Sequence, residues 1–432
     1  MPLNTQIPQH IRKLAQISDR ARSLTGRLKP APKGGKRAVR QSVAQPLPTD
    51  ALDIPVCDIS LEQADRSALE QRGQFLARQD MWEELGQEIR DYDRSRAVTA
   101  GGMSKADLLV LGARSDVTAP VLAAFADPAL MPQHAPRHGL RDLEIVLEDH
   151  PGDYGVALVV INAYIDIAWA WRGEGWISDL PSRQRREFET RMRRAAEILD
   201  HFNPFEHDSP ALAATRCALL AVQAAADQRI ADDYEDLIEL DPANPRHMRA
   251  FGNHLLPRWF GSYQQLEIGA RRSAILTRDI WGMGGYAWTY LDALSVDPRA
   301  IEMLDVDFFT DAMRDILQRR PDQHIVNSFA AFCAVTLQQE RFQTPAHAEA
   351  AAAIARAFDW ILRDHLREVH PMIWAMANED PTRASGPAAL DSIARDGEKR
   401  ALHRIASHFA ADIRQGARIV FDESGPMVIS PR

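Results

Sequence analysis

The stretch Ile230-Ala-Asp-Asp-Tyr234-Glu-Asp-Leu237-Ile-Glu-Leu240-Asp-Pro242-Ala-Asn-Pro245-Arg-His-Met-Arg-Ala-Phe251-Gly252-Asn-His-Leu-Leu256 decides the fold. Its apolar residues return every three to four positions on either side of Asp241-Pro242, the spacing of two amphipathic helices and not of strands. Pro242 stops the first helix, Pro245 suits the first turn of the second, and Gly252 lets that second helix approach a neighbour closely. The unit is a helical hairpin.

The same periodicity runs outward from it in both directions. Towards the N-terminus it predicts helices over 61–92, 104–125, 155–172, 182–201 and 210–226; towards the C-terminus, over 263–278, 287–294, 308–319, 325–339, 346–370 and 397–415. Pro181, Pro210 and Pro245 sit at or beside first turns, and Asp208 or Ser209 is placed to cap a helix. Only the tail alternates: Arg418-Ile-Val-Phe421, Asp422-Glu-Ser-Gly425 and Met427-Val-Ile429 read as a small β-hairpin, which needs something to dock on. The turn dipeptides Asn203-Pro204, Asp241-Pro242 and Asp297-Pro298 suggest repeated hairpins.

Tyr234, Leu240-Asp241-Pro242 and Phe251-Gly252 resemble the joint between two tetratricopeptide repeats, over about one repeat's length. Ile230 and Leu237 depart from that family, which places small alanines inside the second helix. Leu256-Pro-Arg-Trp-Phe-Gly-Ser262 is similar to a Pro-Arg-Trp-x-Gly-Ser turn of a group of bacterial helical-repeat proteins. The expected fold is therefore all-α, a tetratricopeptide-like array of helical hairpins over 56–416, with a basic segment and linker over 1–55 and a β-hairpin cap over 417–432. Such arrays act by presenting a concave face to a peptide or helix, so the first functional expectation is a protein-interaction scaffold or adaptor. The bacterial assignment rests on the resemblance alone.

Composition narrows the classes. With 45% hydrophobic and 26% charged residues the chain has the make-up of a globular protein, and a net charge of −9 argues against a body that coats nucleic acid. Residues 1–45 are the exception. Ten Lys/Arg face one acid, Asp19, a local charge of +9, and Ile7, Ile11, Leu14, Ile17, Ala21, Leu24 and Leu28 line one side of a basic amphipathic helix. Prolines and glycines from Pro30 to Pro55 then read as a linker. Three readings of this arm stay open: a solvated arm, an arm docked on an acidic partner or on the acidic helix around Asp227–Asp241, and an arm that binds a membrane or nucleic acid.

Cys57, Cys217 and Cys333 are too few and too scattered for a disulfide framework, which fits a reducing cytoplasm. No secretory apolar core is read in the first thirty residues, and the longest apolar run, 156–171, carries Asn162 and Asp166 and reads as a buried helix instead of a membrane span.

The chemistry-bearing clusters are few. HExxH and GxxxxGK[ST] are absent, so neither a zinc peptidase nor a P-loop is expected, and no metal or cofactor is assigned. His134 and His138 have chelating spacing, but Pro132 and Pro136 prevent a regular helix. His201, Glu206, His207 and Asp208 form the densest His/carboxylate patch, readable as helix-end chemistry or as an acid–base or metal site. Asp166, one turn from Asn162 on an apolar helix, needs an Arg, a His or a ligand as partner. These five are the residues of the alternative function, a hydrolytic or metal-assisted enzyme with a site between helices. For the scaffold reading the candidate groove residues are Arg258, Trp259, Tyr263, Trp281, Tyr286 and Trp288, since Trp, Tyr and Arg dominate binding hot spots. The Gly282, Gly284 and Gly285 bend lets the last three either pack a helix joint or line a concave face.

Overall fold

The computed structural model describes residues 49–126, 138–173, 180–223, 225–338, 341–377 and 387–431. The basic arm over 1–45 and His134 lie outside them.

The first long helix begins where the sequence supplies a cap: the Asp58 carboxylate accepts the Ser60 N–H at 2.8 Å and starts α1, Ile59–Arg78. The run expected as one helix over 61–92 divides at Asp80, which takes a left-handed backbone (φ 58°) and accepts the indole N–H of Trp82 at 2.8 Å. That turn starts α2, Trp82–Arg94. The other main helices are α3 (Lys105–Ala126), α4 (His138–Asp149), α5 (Tyr154–Arg172), α6 (Ser182–Leu199), α7 (Pro210–Ala218), α8 (Ala226–Leu240), α9 (Pro245–His254), α10 (Tyr263–Leu276), α11 (Gly285–Val296), α12 (Val306–Arg319), α13 (Gln323–Ala331), α14 (Pro345–Ala355), α15 (Pro371–Met376) and α16 (Pro387–His408). The polar residues before them cap them: Ser209 takes the Leu212 N–H, Asn244 the Arg246 N–H and Ser262 the Gln265 N–H. At the 208/209 step the cap is Ser209; Asp208 is left-handed and pairs with Arg96.

The fold is an all-α array in which elements pack mainly on near neighbours in sequence, α1 on α3, α3 on α5, α5 on α6, α9 on α11, α15 on α16. Glycine makes several of these contacts possible, that of α9 on α11 among them. A Cβ on Gly252 of α9 would lie 1.8 Å from the Thr289 carbonyl oxygen of α11, so only glycine allows the two backbones their approach. One continuous apolar cluster runs from Leu76 to Phe421. Helix α5 sits inside it: Val156 to Ile161 are at most 1% exposed. By length and composition α3 and α5 are apolar enough to cross a membrane, and in this fold 78% of the α5 window is covered by protein.

The C-terminal hairpin forms as expected, β2 (Arg418–Asp422) antiparallel to β3 (Gly425–Ile429), and it has a third strand. Leu52–Asp53, β1, pairs in parallel with Ile419–Val420. Further along, the Val369 N–H donates to Pro55 O and the Cys57 N–H to Val369 O, each at 2.8 Å. Residues 52–55, read from sequence as linker, thus belong to the folded body with 56–57 and set the start of α1 beside the segment leading into α15. The array returns on itself.

Candidate functional site

Closure gathers charged side chains from distant helices around one recess. Glu62, Arg66 and Glu70 recur at four-residue steps on α1, Asp107 and Arg114 lie on α3, Arg246 and Arg249 on α9, Asp292 on α11 and His324 on α13. Arg246 senses the charges of Arg249, Asp107, Arg66 and Asp292, and His324 those of His370, Arg249 and Arg246, so five helices face a common space. Asp107 and Arg246 are solvent-exposed by surface area, yet both carry a heavy desolvation penalty. Side chains that water reaches while protein surrounds them form the recess, and the mutual influence of their charges carries that placement.

Desolvation governs the protonation of these groups. It lowers Arg246 to about 10, with Arg249 repulsion adding to it, raises Asp107 and Glu70, lowers Arg66, and brings His324 down to about 4. Two pairs neutralise part of the recess: Arg114 Nε donates to Asp166 at 2.6 Å, and Arg249 Nη2 to Asp292 at 2.7 Å. Others stay unmatched. Among the described residues, the Nε and Nη2 groups of Arg66 are buried without a hydrogen-bond partner, and Arg249 Nε likewise.

At the edge of the recess stands a mixed donor set. Cys57, Glu368 and His370 each offer one atom such that all lie within 4.8 Å of one another, and His370 Nε2 lies 2.9 Å from Glu368 Oε1. Asn327, fully buried, fixes this segment. Its Oδ1 accepts the His370 N–H at 3.0 Å and the Trp374 indole N–H at 2.8 Å, while its Nδ2 donates to Glu368 O at 2.9 Å. Gln323 Oε1 accepts the Glu368 N–H at 3.3 Å. The ring of His324 is 6.0 Å from that of His370. Burial, then the charges of Glu368 and Asp58, push the Cys57 thiol up.

The residues nominated from sequence fall elsewhere, with one exception. Trp259, Trp281, Tyr286 and Trp288 are at most 7% exposed and pack the interior. The Trp281 indole donates to Pro242 O at 2.9 Å and meets Trp288 edge-on, and the Tyr286 hydroxyl donates to Glu267 at 2.6 Å. These aromatics build helix joints and offer no groove, because the glycine bend turns them into the core. Tyr263 is half-buried, its hydroxyl donating to Asp297 at 2.8 Å under Arg299, and Arg258 is half-buried beside Trp259. His201, Glu206 and Asp208 are exposed, and the ring of His207 packs at a tilt against Tyr154 and Phe202. That patch does not assemble: among the described residues the metal-ligating group is the one at Cys57. Asp166 is the exception. The partner its burial called for is Arg114, and the pair lies on the wall of the recess; Asn162 instead bonds its own helix at Leu158 O.

The acidic stretch around Asp227–Asp241 is also largely used within the fold. Asp233 and Asp236 meet Arg216, Glu235 meets Arg272, and Asp241 meets His247.

Sequence reasoning missed Arg66, Asp107, Arg246, Arg249, Asp292, His324, Glu368 and His370. The available signal was the charged stripe Glu62-Arg66-Glu70 and the Arg246/Arg249 step, each of which alone reads as a solvated helix face. Compared with known proteins, the chain matches no family model, no curated protein and no solved structure.

Proposed function

We propose that this protein is a cytoplasmic interaction protein that holds a mixed-charge peptide segment of a partner in the closed recess of its helical array. The observation that carries the reading is the set of desolvated side chains of both signs, Arg66, Arg246, Asp107 and Glu70, which feel one another's charge and, among the described residues, form no direct ion pair or side-chain hydrogen bond. Desolvated charge without a partner costs free energy, and a ligand with complementary charges offsets it. An extended peptide carrying both acidic and basic side chains has that complementarity, and a concave helical face is the usual seat for one.

The test is fluorescence anisotropy with short labelled peptides of mixed, acidic, basic and neutral composition. Mixed-charge peptides should bind best, and Arg246→Ala and Asp107→Ala should each weaken binding by about tenfold or more. Equal binding of neutral peptides, or variants that bind as wild type, would overturn the reading.

A second reading, a hydrolytic or metal-assisted enzyme with its site between helices, is favoured by one observation, the Cys57, Glu368 and His370 donor set bordering the same recess.

A further inference from the structure

We propose that Cys57, Glu368 and His370 bind one divalent transition-metal ion, zinc by the character of the donors, and that this ion staples the start of the helical array to its end. The three donor atoms lie within 4.8 Å of one another. Around tetrahedral zinc, bond lengths of about 2.0–2.3 Å set ligands about 3.3–3.8 Å apart, so side-chain rotation of about 1 Å closes the site. A thiolate, an imidazole and a carboxylate together suit zinc better than magnesium or calcium, which take oxygen ligands.

The backbone around the donors is already organised. The Cys57 N–H donates to Val369 O and the Val369 N–H to Pro55 O, and Asn327 and Gln323 hold the main chain of 368–370 from α13. Such outer contacts pre-orient ligands and conserve affinity. On binding, the thiol loses its proton to solvent as the sulfur–metal bond forms, and the ion replaces the hydrogen bond that now links His370 Nε2 to Glu368 Oε1. Three protein ligands leave a coordination position for water or a ligand group, with His324 beyond it at 6.0 Å ring-to-ring from His370. The inference is independent of the peptide reading, because its test uses no peptide.

Full-length protein stripped with a chelator is titrated with zinc by calorimetry and with cobalt(II) by absorption. The expected result is one ion per chain, a thiolate-to-cobalt charge-transfer band, and a rise in melting temperature on loading. Cys57→Ser should abolish the band and weaken binding at least about tenfold, Glu368→Gln should weaken it with the fold intact by circular dichroism, and Cys217→Ser should change neither. Binding below one equivalent, a band that survives Cys57→Ser, or a band lost in Cys217→Ser would each overturn the proposal.

Discussion

Cys57 donates its main-chain N–H to the carbonyl oxygen of Val369 at 2.8 Å, and Val369 donates in turn to Pro55, so the segment before α1 and the segment leading into α15 share one short ladder. With β1 on β2, this pairing is what turns a row of helices into a closed wall around charged side chains. A hairpin of two strands is marginal alone, and the third strand and the segment before α15 supply the docking it needs.

Deleting residues 1–55 removes β1 and the acceptor for the Val369 amide. Amide exchange at Val369 should accelerate by about fivefold or more, while α5 amides keep their protection. Unchanged exchange at Val369 would mean that the array holds its closed form without the ladder.

Gly252→Ala sets a Cβ 1.8 Å from Thr289 O, a backbone atom that cannot rotate away. α9 and α11 must separate, and urea denaturation should show a loss of about 1–3 kcal/mol or more. Gly152→Ala, where nothing lies within 4 Å, is the control and should stay within about 0.5 kcal/mol of wild type.

Local order was legible because its causes are local. Capping at Ser209 and Ser262, the first-turn Pro245 and the close approach at Gly252 follow from residue chemistry a few positions wide. The break at Asp80 was not, since the apolar spacing continues across it and only a left-handed residue marks the turn. The recess was illegible for another reason. Arg66, Asp107 and Arg246 each sit on an amphipathic helix where a charged side chain reads as surface, and only the packing of distant helices on one another brings those faces together. The aromatics misled in the opposite sense: Trp281 and Trp288 have the composition of a hot spot, but each is at most 2% exposed.

Burial lowers both His254 and His324 to about 4 from an ordinary 6.5. Between those values the unfolded chain binds protons that the folded one refuses, so the contribution of each is full above pH 6.5 and is lost as the pH falls towards 4, on the order of 3 kcal/mol apiece. Asp93 works in the opposite direction. Desolvation raises it to about 6 despite its bonds to Ser209 and Ala211, so its folded form takes up a proton first and gains stability as the pH falls from above 6 to below 3.8. Chemical denaturation from pH 7 to pH 4.5 should show a net loss in the wild type, a shallower loss in His254→Phe and a steeper one in Asp93→Asn. Parallel curves for wild type and His254→Phe would contradict this assignment.

The Arg114–Asp166 pair separates structure from binding at the recess wall. Both side chains are largely buried, 6% and 18% exposed, and their 2.6 Å contact is what lets a carboxylate sit on the apolar helix α5. Asp166→Ala leaves the guanidinium buried and unmatched, so denaturation should show a loss of about 2–4 kcal/mol. Replacing both, Arg114→Met with Asp166→Leu, removes the stranded charge and should return most of that stability. If the pair only holds the wall, the double variant also binds mixed-charge peptides as wild type does. If the double variant is stable but binds tenfold more weakly, Asp166 or Arg114 contacts the ligand directly and the site extends from Arg246 across to α5.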